Sequence, residues 1–178
     1  MVCYPIPQHS SVIAIGVKLG VEANEDPEYS RCLSQMGDAA LHVLSKNWIS
    51  NTHIQSIEIE ANKFGPVGAK KLAMSLANHP TVTFLKLSNN PMSWGDSTVA
   101  PAFAHMVRNN QVLRTMELEQ IGFDIQDVAC VMHALADNTS LTRLSFHFNE
   151  KSAQSEEGAQ EKMNEGLYRN STLADLRL

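Results

Sequence analysis

An α/β chain of repeated strand and helix units is the fold class this sequence predicts, and three observations predict it. One spacing of apolar residues recurs, it recurs at a nearly constant step, and the stretches between carry a helical pattern. In "TVTFLKLSNNPMSWGD", residues 81–96, Val82, Leu85, Leu87 and Asn90 stand at L-x-x-L-x-L-x-x-N, the leucine-rich repeat spacing. Ile54, Ile57, Ile59 and Asn62 fit the same template, as do Leu141, Leu144, Phe146 and Asn149. Leu113, Met116 and Leu118 fit with Ile121 in the asparagine place. Leu173, Leu176 and Leu178 begin a further copy, and Val12, Ile15 and Val17 an earlier one. First positions 54, 82, 113, 141 and 173 are separated by steps of 28, 31, 28 and 32 residues.

Each element has its own local justification. The step from Val12 to Ile54 is longer, and the excess contains "GVEANEDPEYS" at 20–30, acidic and proline-containing, which predicts an inserted loop. A helix from Gln35 to about Trp48 follows, with Met36, Ala39, Ala40, Val43 and Leu44 on one face. After the Ile54 strand, Gly68 to Asn78 places Ala69, Leu72, Ala73 and Leu76 at helical spacing. Val99, Ala102, Phe103 and Met106 repeat that arrangement, and so do Ile125, Val128, Ala129, Met132 and Leu135. The polar stretch "NEKSAQSEEGAQEK", 149–162, reads as a second loop leading into a last helix through Met163 and Leu167, ending near 170. The helices end in polar corners, "LANHPTV", "VRNNQVL", "LADNTSL" and "LYRNSTL", before the next strand.

A strand-plus-helix unit of this size cannot bury its apolar face alone, so its Leu, Ile, Val and Met must stack on the next unit. Asparagine recurs because its amide can bridge backbone groups where the strand ends and the chain turns. Units of about 28 residues suit the ribonuclease-inhibitor-like class. The expected architecture is a right-handed solenoid, parallel strands on its concave face and helices on its convex face, in one domain over 1–178. The chain ends on "LADLRL" inside a strand, which leaves three readings: a fragment, self-association through an uncapped end, or capping by the last helix.

The 178 residues carry a net charge of −5, which argues against nucleic acid or an anionic membrane as the partner. No apolar run reaches membrane-span length, and "MVCYPIPQHSSVIAIGV" lacks the positive start of a signal peptide. Cys3, Cys32 and Cys130 have no metal or redox spacing and fit a reducing, cytoplasmic compartment, with Cys130 a small buried thiol on a helix. The glycosylation patterns at Asn138 and Asn170 fall at corners where the repeat itself wants asparagine. His42, His53, His79, His105 and His133 show no metal-binding arrangement and are expected at the surface or in corners. No nucleophile elbow or phosphate-binding loop is present, so no catalytic residue, cofactor site or metal site is expected and a non-enzyme is predicted.

What the strands offer instead is a surface. Residues between the core positions face away from the helices: Ser56, Glu58 and Glu60; Phe84, Lys86 and Ser88; Thr115, Glu117 and Glu119; Arg143, Ser145 and His147. Glu117 and Glu119 are expected to flank Lys86 and Arg143 across neighbouring strands. Phe84 is either an exposed aromatic anchor in a charged field or is covered by a neighbour. The candidate protein-binding residues are Glu58, Glu60, Phe84, Lys86, Glu117, Glu119, Arg143 and His147.

"NTHIQSIEI" opening a repeat, "DNTSL" before a strand, and Phe146-His147-Phe148 closing a late strand give residues 10–170 a family likeness. The chain resembles the C-terminal domain of tropomodulins and leiomodins. That resemblance implies an actin-binding module acting at the pointed end of filaments, without catalysis or cofactor. The tropomyosin-binding helices of the family have no counterpart here, and "STLADLRL" stands where the family carries a basic stretch. The rival readings of the same repeats are a regulatory domain of an immune-type receptor or GTPase-activating protein, or a scaffold fragment.

Overall fold

The computed structural model describes residues 14–17, 37, 38, 41, 45, 46, 52–60, 64–90, 92, 93, 96–147 and 158–178, the first four by their backbone. Six strands, β1 (Ala14–Val17), β2 (Ser56–Ile59), β3 (Phe84–Lys86), β4 (Thr115–Glu119), β5 (Arg143–His147) and β6 (Asp175–Arg177), form one sheet in sequence order. Every neighbouring pair is parallel. Parallel neighbours need a crossover, and helices α1 (Pro66–Leu76), α2 (Val99–Asn109), α3 (Ile125–His133) and α4 (Ala159–Arg169) supply it after β2, β3, β4 and β5. A 3₁₀ turn, Ala134–Asp137, continues α3. Consecutive helices pack on one another.

The register explains why one spacing serves every unit. Ile15, Ile57, Leu85, Met116, Leu144 and Leu176 stand in one cross-strand row. From Ile57 to Leu144 that row is fully buried, as are Ile59, Leu87, Leu118 and Phe146 in the next. Burial of each such side chain contributes about 1.5–3 kcal/mol, which no isolated unit could secure. The helices close this core with Ala69, Leu72, Ala73 and Leu76 from α1, Val99, Phe103 and Met106 from α2, and Val128, Ala129 and Met132 from α3. Phe103 and Phe123 meet edge to face at 6.0 Å, and Phe123 lies 6.3 Å from Phe146, so aromatic contact runs across units.

The corners are fixed by side chains. The Asn138 amide donates to the carbonyls of Val107 (2.7 Å) and Asn110 (2.9 Å), and its Oδ1 accepts from the backbone of Ser140 (2.9 Å) and Leu141 (2.7 Å). Asn170 repeats this with Leu135, Asn138, Thr172 and Leu173. Asn110 donates to Leu76 and accepts from Val112 and Leu113. His79 takes the same place, its Nδ1 facing the backbone N–H groups of Thr81 and Val82. At the other end of β3, the Asn90 amide donates to Ile59, Leu87 and Ser88. Ile121 holds the matching place after β4 and is buried. The turns leaving β3 and β4 pass through positive φ at Asn89 (60°) and Gln120 (53°).

Several expectations change. The polar stretch 149–162 is not all loop, because α4 starts at Ala159 and half-buries Met163 and Leu167 beneath a polar outer face. Cys130 is half-buried rather than fully buried, and its burial pushes the thiol pKa up. Asp38, Leu41, Ser45 and Lys46 are helical, within the helix expected from 35 to 48. Val12, Cys3, Cys32, His42, Asn62, Phe148, Asn149 and the 20–30 loop lie outside the described residues.

Candidate protein-binding face

Pleat alternation sends the residues between the buried positions to the face away from the helices, and the register aligns them in rows. One row runs Ser56, Phe84, Thr115, Arg143 and Asp175. The next runs Glu58, Lys86, Glu117, Ser145 and Arg177. A third holds Glu119 beside His147. The Asn89 N–H donates to the Glu119 carbonyl at 2.9 Å, two residues beyond the Leu87 bond to Glu117, which sets Ser88 level with Glu119.

Charge divides this face. Around β3 three carboxylates neighbour one ammonium: Lys86 Nζ lies 3.1 Å from Glu60 and 3.9 Å from Glu117, with Glu58 beside it. The Glu60 hydrogen bond raises the Lys86 pKa, and Glu117 and Glu58 add to it against the opposing effect of burial. Toward β6, Arg143 Nε donates to Asp175 at 2.9 Å, and Arg177 reaches the same carboxylate at 3.1 Å. These bonds, that from Arg177 first, hold the Asp175 carboxyl below its ordinary pKa.

The expected flanking of Lys86 and Arg143 by Glu117 and Glu119 is therefore half right. Lys86 does face Glu117, although Glu60 is its nearer partner. Arg143 pairs with Asp175, because register places Thr115, not Glu119, beside it. Glu119 instead accepts from the Ser145 hydroxyl at 3.2 Å. Ser88 and Ser145, expected at the surface, are buried at 2% and 3% exposure, small side chains beneath longer neighbours. Phe84 is half-buried, while Arg143, Glu119 and His147 are exposed.

The helix side carries a separate exposed network. Arg108 lies 3.8 Å from Asp137 and Arg169 3.7 Å from it, while His133 meets Glu165 at 3.2 Å. Such exposed pairs contribute about 0–1 kcal/mol each and serve to align helices. Among the described residues, no group of three or more His, Cys, Asp or Glu is placed to hold a metal ion, and no helix is long and apolar enough to cross a membrane.

This fold has a counterpart among solved structures. It is similar to leiomodin-1 actin-binding site 2, with a TM-score of 0.62 over 77% of this chain and 75% of that one. At 20% identity the likeness is one of fold. No protein-family model and no curated protein matches the sequence.

Sequence reasoning missed one feature of the face. Lys86 reaching diagonally to Glu60 follows from side-chain length, which a strict cross-strand reading ignores. His79, expected at the surface or in a corner, is a corner residue, and it stands 31 residues before Asn110, the same step that separates Val82 from Leu113.

Proposed function

We propose that the chain is a ribonuclease-inhibitor-like leucine-rich-repeat solenoid, one domain over 1–178, acting as a non-catalytic cytoplasmic module that binds actin through its concave strand face. The observation that carries this reading is the fold likeness to leiomodin-1 actin-binding site 2 over three quarters of both chains. Constant-step repeats and the in-register rows of polar side chains are its physical support. Glu58, Glu60, Phe84, Lys86, Glu117, Glu119, Arg143 and His147 are the contact residues in this reading. Phe84 supplies an apolar centre within a polar field, the composition that concentrates binding energy. Arg143 is available because its Asp175 pair is solvent-exposed and inexpensive to exchange.

The test is elongation of labelled actin from barbed-end-capped seeds, titrated with the chain and with a Phe84→Ala, Arg143→Ala variant. Dose-dependent slowing that the variant loses supports the reading. Slowing that the variant retains moves the contact off these residues, and no slowing at concentrations well above that of actin removes actin as the partner.

A further inference from the structure

The rows around β3 hold a second kind of information, the chemistry of what they would take. Glu58 and Glu119 form no ion pair among the described residues, while Glu60 and Glu117 share one lysine. Lys86 leans along its strand to reach Glu60, so its ammonium lies near the Ser88 level. Ser88 stands at that level on the Lys86 side by pleat alternation, 2% exposed, and its hydroxyl has no hydrogen-bond partner. A buried hydroxyl left unpaired costs free energy in the free protein, which an incoming donor recovers. Lys86 itself demonstrates that these carboxylates hold a cationic nitrogen.

We infer that the β2–β4 part of the strand face is a docking site for a lysine- or arginine-bearing segment of a protein partner, seated among Glu58, Glu60, Glu117 and Glu119 with Ser88 as an acceptor. This rests on the reading that the strand face is the binding face, and it adds the chemistry of the partner. Charge complementarity selects the occupant: with Lys86 paired to Glu60, the carboxylates Glu58, Glu117 and Glu119 meet no further cation on this half of the face among the described residues. An entering guanidinium or ammonium displaces Lys86 from its longer contact, the one to Glu117, and donates to Ser88 Oγ. Lys86 is thus a resident competitor, and its removal should tighten binding.

The experiment is fluorescence anisotropy of a labelled peptide alternating lysine and alanine, titrated with the full chain at low salt and without actin. Saturable binding is expected, weakened about tenfold by Glu117→Gln with Glu119→Gln. Removing the same charge on the helix side, Asp137→Asn with Glu161→Gln, should change it less than about twofold. Lys86→Met should tighten binding where Lys71→Met does not. Ser88→Ala should weaken it about threefold without lowering the unfolding midpoint. Absence of saturable binding, equal losses in the two acidic double variants, weaker binding by Lys86→Met, or an unchanged Ser88→Ala would overturn the proposal. Peptide binding without an effect on actin elongation would keep this site and remove actin, and the reverse would keep actin and remove the site.

Discussion

Replacing Asn138 by alanine tests whether the corners or the apolar rows hold the units together. The side chain is 4% exposed and serves four backbone groups. After truncation the Ser140 and Leu141 N–H groups lose their acceptor and the Val107 carbonyl loses this donor. The Asn110 carbonyl keeps the Ser140 hydroxyl at 3.2 Å. Three orphaned buried groups at about 1–3 kcal/mol each, relieved in part by entering water, predict a loss of about 3–5 kcal/mol. Against a stability of about 5–15 kcal/mol, that loss is readily measured. Urea unfolding with an unchanged slope should show the midpoint fall, and hydrogen exchange should show Ser140 and Leu141 amides losing protection first. A loss under about 1 kcal/mol would refute the argument and leave the apolar rows as the whole explanation. Asn138→Asp sharpens the test, because one oxygen would face two carbonyls in a buried site. Burial and those carbonyls should raise the folded-state pKa above the unfolded one. The aspartate variant should therefore be most stable at acid pH and lose stability as pH rises through the folded pKa.

Other outcomes follow from single contacts. A Cβ on Gly166 would lie 2.0 Å from the Met132 carbonyl oxygen, so Gly166→Ala should cost about 1–3 kcal/mol by pushing α4 off α3, whereas helix propensity alone predicts a gain. Thermal unfolding of the variant decides the sign. Asp96 is held down to about 2 from 3.8 by the Thr98 hydroxyl first and Lys70 next, so its contribution is present above 3.8 and lost as pH falls toward 2. Carboxyl NMR titration should give that low midpoint, and Asp96→Asn should flatten the acid limb of the stability curve. The Cys130 thiol should alkylate more slowly at pH 8 than a model thiol, and Gly166→Ala should speed it by loosening the helix above.

The strands and the first three helices were legible because period and burial report the same thing. A residue such as Leu85 must be apolar wherever a flanking unit stacks on it. The last helix was legible only from Met163 onward, since its first turn buries only the small Ala159 and otherwise reads as solvent-facing polar sequence. The rows of the face were legible as positions but not as contacts. Strand spacing places Lys86 beside Glu117, yet the choice of Glu60 depends on how a four-carbon chain bends across the sheet. Burial of Ser88 and Ser145 was hidden for a related reason. Short side chains between long ones are covered by neighbours, which alternation cannot encode.

The corner residues sit at 79, 110, 138 and 170, and in each unit the first strand position, 82, 113, 141 or 173, follows three residues later. Most variation in unit length falls on the opposite edge, between strand and helix: short from Ile59 to Pro66 and from Glu119 to Ile125, long from Lys86 to Val99 and from His147 to Ala159. The corner edge thus keeps one chain length and the opposite edge varies in it. New sequence spliced in past His147 should be absorbed without disturbing the stack, while one added residue between Asn138 and Leu141 should derail every unit that follows.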